Sequence, residues 1–150
     1  MPKLSPAREN PERPIVAVGV VVWKGDKVLV VRRGTPPRDG QWSIPGGGQE
    51  LGETVRETAV REVREETGLE IRLTALIDVV DYIEPDGAGG IRYQYTLVDW
   101  VAEWTAGEPT PGSDIAEAEW ADAADLDRYE MWCETRRIVD KSGALRGRRG

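Results

Sequence analysis

Between Thr54 and Gly68 the chain changes its hydrophobic period. Val55, Ala59, Val60 and Val63 recur at three- and four-residue spacing, charged residues fill the other positions, and Gly68 ends the run. This predicts an amphipathic helix of about fifteen residues with a C-terminal glycine stop. The flanking sequence is of another kind. Ile15–Trp23 and Lys27–Arg33 are rich in Val and Ile and are separated by Lys24-Gly25-Asp26, which predicts a hairpin. Glu70 to Glu84 and Ile91 to Trp104 form a second extended pair around Pro85-Asp86-Gly87-Ala88-Gly89-Gly90. Gly34 to Gly48 and Thr105 to Ser113 read as irregular Gly/Pro loops. A short strand through Ala118–Trp120 and a last helix, about Leu126 to Val139, complete the pattern. Strands around a central helix, with a second helix at the end, predict an α/β fold with a mixed, largely antiparallel, twisted sheet.

At 150 residues the chain has the length of one domain. The expected division is a flexible, polar, Pro-rich arm over 1–14 lying loosely on the surface, a folded domain over 15–140 and a flexible basic tail over 141–150. With 20 basic and 27 acidic residues the net charge is −7, which argues against nucleic acid as a partner, because a phosphate backbone demands a basic face. The longest apolar run, Ile15 to Trp23, is about half a membrane span, so no membrane partner is expected. One cysteine, Cys133, and a start unlike a secretory signal fit a cytoplasmic protein. There is no His and no Phe. Imidazole is therefore neither ligand nor base, and Trp and Tyr supply all aromatic bulk. Trp23, Trp42, Tyr93, Tyr129 and Trp132 can each stack on a base or fill the core.

The predicted helix carries an unusual set of acids. Glu62, Glu65 and Glu66 stand at i, i+3 and i+4, on one face and one turn apart. Two carboxylates about 5 Å apart repel by roughly 3 kcal/mol at an effective dielectric near 20, and the negative end of the helix dipole adds to that. Positive charge must compensate. Arg56, Arg61 and Arg64 can do so as surface partners; a bound cation is the other solution. An all-oxygen set without His suits Mg²⁺, or Mn²⁺, above softer metals. Pro45-Gly46-Gly47-Gly48, just ahead, offers bare backbone to a metal or a phosphate.

The wider spacing decides between these readings. Gly47, Glu53, Arg61, Glu62, Val63, Glu65, Glu66, Gly68 and Leu69 fill every fixed place of G-x5-E-x7-R-E-U-x-E-E-x-G-U, with U aliphatic. At about 7% usage for each of Gly, Glu and Arg, chance agreement anywhere in the chain is on the order of 10⁻⁷. The pattern is the signature of the Nudix hydrolases. Gln41 to Gly47, Val31-Arg32-Arg33 and Trp100 through Trp120 resemble other parts of that family, so the resemblance covers roughly 15–140.

The resemblance implies a Nudix-type α/β/α sandwich and a divalent-metal-dependent pyrophosphohydrolase acting on a nucleoside diphosphate linked to another moiety. Carried over residue by residue, Glu62, Glu65, Glu66 and the Gly46 carbonyl match metal-binding positions. Glu53 and Arg61 match positions that brace the loop against the helix. Glu65 is a catalytic candidate as well, and Asp114 is the candidate for a further acid from the loop after the signature, as metal ligand or general base, with Glu117 the fallback. Arg32 or Arg33, of which alternation puts only one on the site face, and Trp42 are candidate substrate contacts. Pro85, sixteen residues beyond Leu69, resembles a mark of ADP-ribose pyrophosphatases, but it equally suits a Pro-Asp-Gly turn. The expected substrate is ADP-ribose or a related nucleoside diphosphate sugar. The alternative is an oxidised or ordinary nucleoside triphosphate, and a catalytically silent nucleotide sensor ranks below both. The resemblance allows a homodimer, although no apolar stripe in the sequence demands one.

Overall fold

The structure is a computed structural model that describes residues 6–34 and 40–146. Seven strands form one mixed sheet: β1 (Ile15–Lys24), β2 (Lys27–Arg33), β3 (Trp42–Ser43), β4 (Gly46–Gly48), β5 (Glu70–Pro85), β6 (Ile91–Ala106) and β7 (Ile115–Asp122). Two helices, α1 (Val55–Thr67) and α2 (Cys133–Leu145), accompany them. The central path runs β3-β2-β1-β6-β5, with β4 paired to β1 and β7 to β2. The β1–β6 pair is parallel and every other pair is antiparallel.

Strand β1 shows why the sheet needs a helix on each face. Its side chains alternate between two cores. Ala17, Val21 and Trp23 join one that includes Ile138 and Val139 of α2, whereas Val18, Val20 and Val22 join another that includes Ala59 and Val63 of α1. Both faces of a central strand are buried, so it reads as a continuous apolar run. The result is the expected α/β/α sandwich.

Helix α1 begins and ends where its cap residues stand. Thr54 Oγ1 accepts from the Glu57 N–H at 3.1 Å, and the Glu57 carboxylate accepts from the Thr54 N–H at 3.2 Å. This reciprocal box satisfies two donors that the first turn leaves open. At the other end Gly68 adopts φ 74°, and its N–H donates to the Arg64 carbonyl, a backbone state that only glycine enters without cost.

Several boundaries differ from expectation for a physical reason. The Gly34–Gly48 loop contains two short strands, because Trp42–Ser43 pairs with β2 and Gly46–Gly48 with β1; glycines carry no side-chain alternation to announce a strand. Residues 35–39 of that loop lie outside the described residues. The last helix is displaced. Leu126–Arg128 is a 3-10 turn, and α2 starts only at Cys133, because the Glu130 carbonyl between them accepts from the Trp42 N–H at 3.0 Å and Met131 and Trp132 pack against the core. Helix α2 then continues through Lys141–Leu145, the start of the expected tail; 147–150 lie outside the described residues.

The arm was expected to lie loosely. Pro6–Arg8 instead forms a 3-10 turn, and the Asn10 N–H donates to the Arg92 carbonyl at 2.8 Å; residues 1–5 lie outside the described residues. Edge strand β5 also carries an apolar stripe that the sequence did not disclose. Leu76, Val79 and Ile83, with Ile91 of β6, are 39% to 52% exposed. Among the described residues no helix is long and apolar enough to cross a membrane.

Thr54→Ala removes one half of the capping box. It should lower stability by about 1 kcal/mol, read as a shift of the urea midpoint at unchanged slope.

Candidate active site

The apolar stripe of α1 is only partly apolar. Its buried residues are Thr58, Ala59, Glu62, Val63, Glu66 and Thr67, so two of the three signature acids point into the protein. Glu62 is 6% exposed and Glu66 is fully buried. Strand β4 is what they meet. A Cβ on Gly47 would overlap the Glu62 carboxylate, so the helix packs this close only because the loop is bare there. Glu66 Oε1 accepts from the Gly46 N–H at 2.9 Å, and Oε2 accepts from Arg33 Nη1 at 3.1 Å. Gly46 is itself packed so tightly on the Val18 carbonyl that a side chain would collide with it.

Alternation along β2 selects between its two arginines. Arg33, 7% exposed, reaches Glu66. Arg32 turns outward to Glu117 at 3.0 Å, a pair in which the glutamate side chain is about half exposed. Glu117 therefore stands away from the buried acids.

Arg61 binds the rest of the cluster together. Its Nε and Nη2 donate to the two oxygens of Glu53 at 2.7 and 3.0 Å. Nη1 donates to Glu62 at 2.9 Å and Glu65 at 3.1 Å, and Nη2 also reaches the Gly48 carbonyl at 3.0 Å. A planar guanidinium with five donors is suited to this many-sided role, which an ammonium cannot fill. Hydrogen bonds from Arg61 and then from the Thr58 hydroxyl hold the Glu53 carboxyl well down, at about 2, and the same Glu53 contact raises Arg61. The other two helix arginines take different partners: Arg64 pairs with Glu70 at 2.6 Å, and Arg56 lies 4.7 Å over the Trp100 ring.

The expected compensation of the acids is thus met first by guanidinium. Among the described residues no three acidic side chains converge as a ready-made ion site; Arg61 and Arg33 are paired with them. The donor chemistry still fits a hard divalent cation. Two buried carboxylates face a glycine backbone that no side chain can fill, Glu65 stands half exposed at the rim, and every available ligand atom is oxygen.

The loop before β7 reaches the same place. The Thr110 and Gly112 N–H groups donate to the carbonyls of Thr67 and Glu66, each at 2.9 Å, and the Asp114 carbonyl accepts from Gly34 N–H at 2.9 Å. Asp114 is therefore held by its backbone one residue past Arg33, beside the C-terminal end of α1. The Trp42 ring meets Tyr129 edge-on at 4.9 Å and packs, partly buried, against the core. Trp23, Tyr93 and Tyr129 are buried in the core.

Beside the glycine strand, on the α2 face of the sheet, lies a cavity of about 40 Å³ whose walls include Arg33, Gly46, Asp99, Trp132, Glu134 and Thr135. Among these Asp99 was not anticipated from sequence. It sits in β6, buried, where the absence of a side chain at Gly19 leaves room for its carboxylate. One signal was available: a lone glycine in a Val-rich strand marks close approach by another group.

Burial pushes the Asp99 carboxyl up to about 7 from its ordinary 3.8. Between those values the folded protein holds a proton that the unfolded chain has lost. This group's contribution to stability therefore falls as pH rises through that window. Asp99→Asn removes the term. The variant should gain on the order of 1 kcal/mol or more over the parent at pH 8 and little at pH 4, measured by urea denaturation at both pH values.

Comparison with known proteins agrees with this geometry. The NUDIX domain model matches residues 13–141. An ADP-ribose pyrophosphatase of Methanocaldococcus jannaschii is 36% identical over 113 residues, covering 75% of this chain and 64% of that enzyme, so the chain spans just under two thirds of that relative's length. A putative 8-oxo-dGTP diphosphatase 2 of Mycobacterium tuberculosis is 36% identical over 138 residues, covering 89% of this chain and 91% of the relative. Among solved structures, a MutT NUDIX hydrolase from Burkholderia pseudomallei superimposes with a TM-score of 0.74 at 28% identity, over 87% of this chain and 98% of its own. With the domain match spanning most of the sequence and the signature helix folded against its glycine strand, the chain belongs to the Nudix family.

Proposed function

We propose that this protein is a divalent-metal-dependent pyrophosphohydrolase that cleaves a nucleoside diphosphate linked to another moiety, with ADP-ribose or a related nucleoside diphosphate sugar as its leading substrate. The observation that carries the reading is the pair of buried carboxylates, Glu62 and Glu66, held on one helix face against the bare backbone of Gly46–Gly48. Two buried acids in such a place weaken a fold unless charge is brought to them. A reaction between water and an anionic diphosphate needs that same charge.

In this proposal Glu62, Glu65, Glu66 and the Gly46 carbonyl would hold Mg²⁺ or Mn²⁺, which would supply charge neutralisation and lower the pKa of water. The chain's own residues do the rest. Arg61 keeps Glu53, Glu62 and Gly48 in register, so the loop and helix present their oxygens together. Arg33 fixes the Glu66 carboxylate and, on the cavity wall, faces the place where a phosphate would enter. Glu65, half exposed at the rim, is the proposed acceptor for the proton of the attacking water, with Asp114 the alternative from the β7 side. Trp132, Glu134 and Thr135 line the space proposed for the nucleoside.

The ADP-ribose assignment is supported by the archaeal relative. It draws little from Pro85, which is exposed at the end of β5 where Asp86 Oδ1 accepts from the Ala88 and Gly90 N–H groups at 2.7 and 2.9 Å. That arrangement explains the proline as a turn residue. Hydrolysis of an oxidised or ordinary nucleoside triphosphate is the second reading, supported by the mycobacterial relative that this chain matches over nearly its whole length.

A hydrolysis panel with Mg²⁺ separates these readings. AMP plus ribose 5-phosphate from ADP-ribose, well ahead of other substrates, supports the first. Monophosphate plus pyrophosphate from 8-oxo-dGTP or another triphosphate supports the second, and silence across the panel favours a sensor. Glu66→Gln, which keeps the side-chain volume, should lower kcat by roughly 10² or more, and chelation by EDTA should abolish turnover until Mg²⁺ is restored. Millimolar Mg²⁺ should also raise the Tm of the substrate-free protein, since a ligand that binds only the folded state stabilises it. An unchanged Tm would count against a metal site formed before substrate arrives.

A further inference from the structure

Among the described residues three guanidinium groups meet at this site, and two are engaged with carboxylates: Arg33 with Glu66, and Arg61 with Glu53, Glu62 and Glu65. The third comes from outside the signature. Arg8, in the 3-10 turn before β1, lines the cavity together with Arg33, Gly46 and Gly47. Its guanidinium lies against Gly48, where a Cβ would overlap it, and hydrogen-bonds with Tyr95. Tyr95 is 1% exposed, and burial raises its phenol further, so this neighbour is uncharged at neutral pH.

The segment that carries Arg8 also limits the cavity. At about 40 Å³ it has room for about one water molecule, whereas sites for small ligands run to roughly 300–1,000 Å³. A nucleotide therefore enters only if part of the wall moves. Among the described residues, positions 6–10 are tied by Glu9–Arg92, 3.1 Å apart with both side chains more than a third exposed, by the Asn10–Arg92 backbone bond and by the Arg8–Tyr95 hydrogen bond. Exposed pairs of this kind contribute at most about 1 kcal/mol. Asn10 adopts φ 54°, a left-handed turn that Asn tolerates better than most residues, and it supplies a hinge between the arm and β1.

We infer that Arg8 is a substrate-binding residue, carried on a displaceable strap that lifts to admit the nucleotide and then sets the guanidinium against its phosphates. The chemistry favours that exchange. A guanidinium resting on a glycine backbone and a neutral phenol gains a charge-assisted, bidentate partner when a phosphate arrives. An acidic protein whose other site arginines hold glutamates needs such a donor.

The inference rests on the proposed hydrolase activity and deepens it. Its test compares Arg8→Ala and Arg8→Lys with the parent as full-length chains, using Mg²⁺ and whichever panel substrate the parent turns over best. The expected result for Arg8→Ala is a KM raised at least about tenfold with kcat within about threefold, and with Tm unchanged. Arg8→Lys should recover part of the KM. An unchanged or lower KM would make the strap a mere cover and overturn the inference, as would a loss confined to kcat. If the parent turns over nothing on the panel, the proposed activity fails separately. The strap is then read from calorimetric binding of ADP in Mg²⁺, where weaker binding by Arg8→Ala sustains the inference and equal affinity sinks it.

Discussion

Everything in this site follows from the burial of two carboxylates on the core-facing stripe of one helix. Isolated ionised acids do not survive in an apolar interior, and Glu66 is fully buried. Among the described residues, the Arg33 guanidinium and the Gly46 backbone amide hold it there. Glu62 is reached by Arg61. Remove those partners and α1 can no longer face the sheet with its acids inward. The neighbouring elements are arranged to supply them: β2 ends in Arg33, β4 offers bare amides, and the loop before β7 closes over the end of the helix.

The glycines of β4 are the other half of that arrangement. Each one meets a different neighbour at a distance a side chain would forbid: the β1 backbone at Gly46, the Glu62 carboxylate at Gly47 and the Arg8 guanidinium at Gly48. A single three-residue strand thus joins the sheet, the acid cluster and the N-terminal arm. Its pairing with β1 fixes where its amides point, and so where the acids are held.

The balance of charge gives the site its chemical character. Arg61 spans three glutamates and a carbonyl, an arrangement that keeps the acids folded inward yet leaves Glu65 at the rim. A cation and an anionic substrate entering together would redistribute these contacts without moving the helix, because α1 is fixed independently by its caps and by Ala59 and Val63 in the core. Stability and chemistry are served by opposite faces of the same residues: methyl groups hold the helix and carboxylates equip it.

Much of this was legible in the chain itself. The helix from Thr54 to Gly68, both hairpins, the acid spacing and the Nudix signature depend on local periods, caps and turns, which operate between residues near in sequence. Other features depend on groups distant in the chain. Trp42–Ser43 and Gly46–Gly48 become strands only because β2 and β1 lie beside them. Tyr129–Trp132 stays out of helix because Glu130 bonds Trp42 and aromatic rings pack on the core. The choice of Arg33 over Arg32, the burial of Asp99 opposite Gly19, and the placing of Arg8 on Gly48 were decided by tertiary structure alone. Each is a meeting of residues between 33 and 80 positions apart, and no pattern along one segment encodes which face another segment will present to it. The sequence by itself determined what chemistry the helix can carry; the packing of sheet, loop and arm around it decided which charges meet.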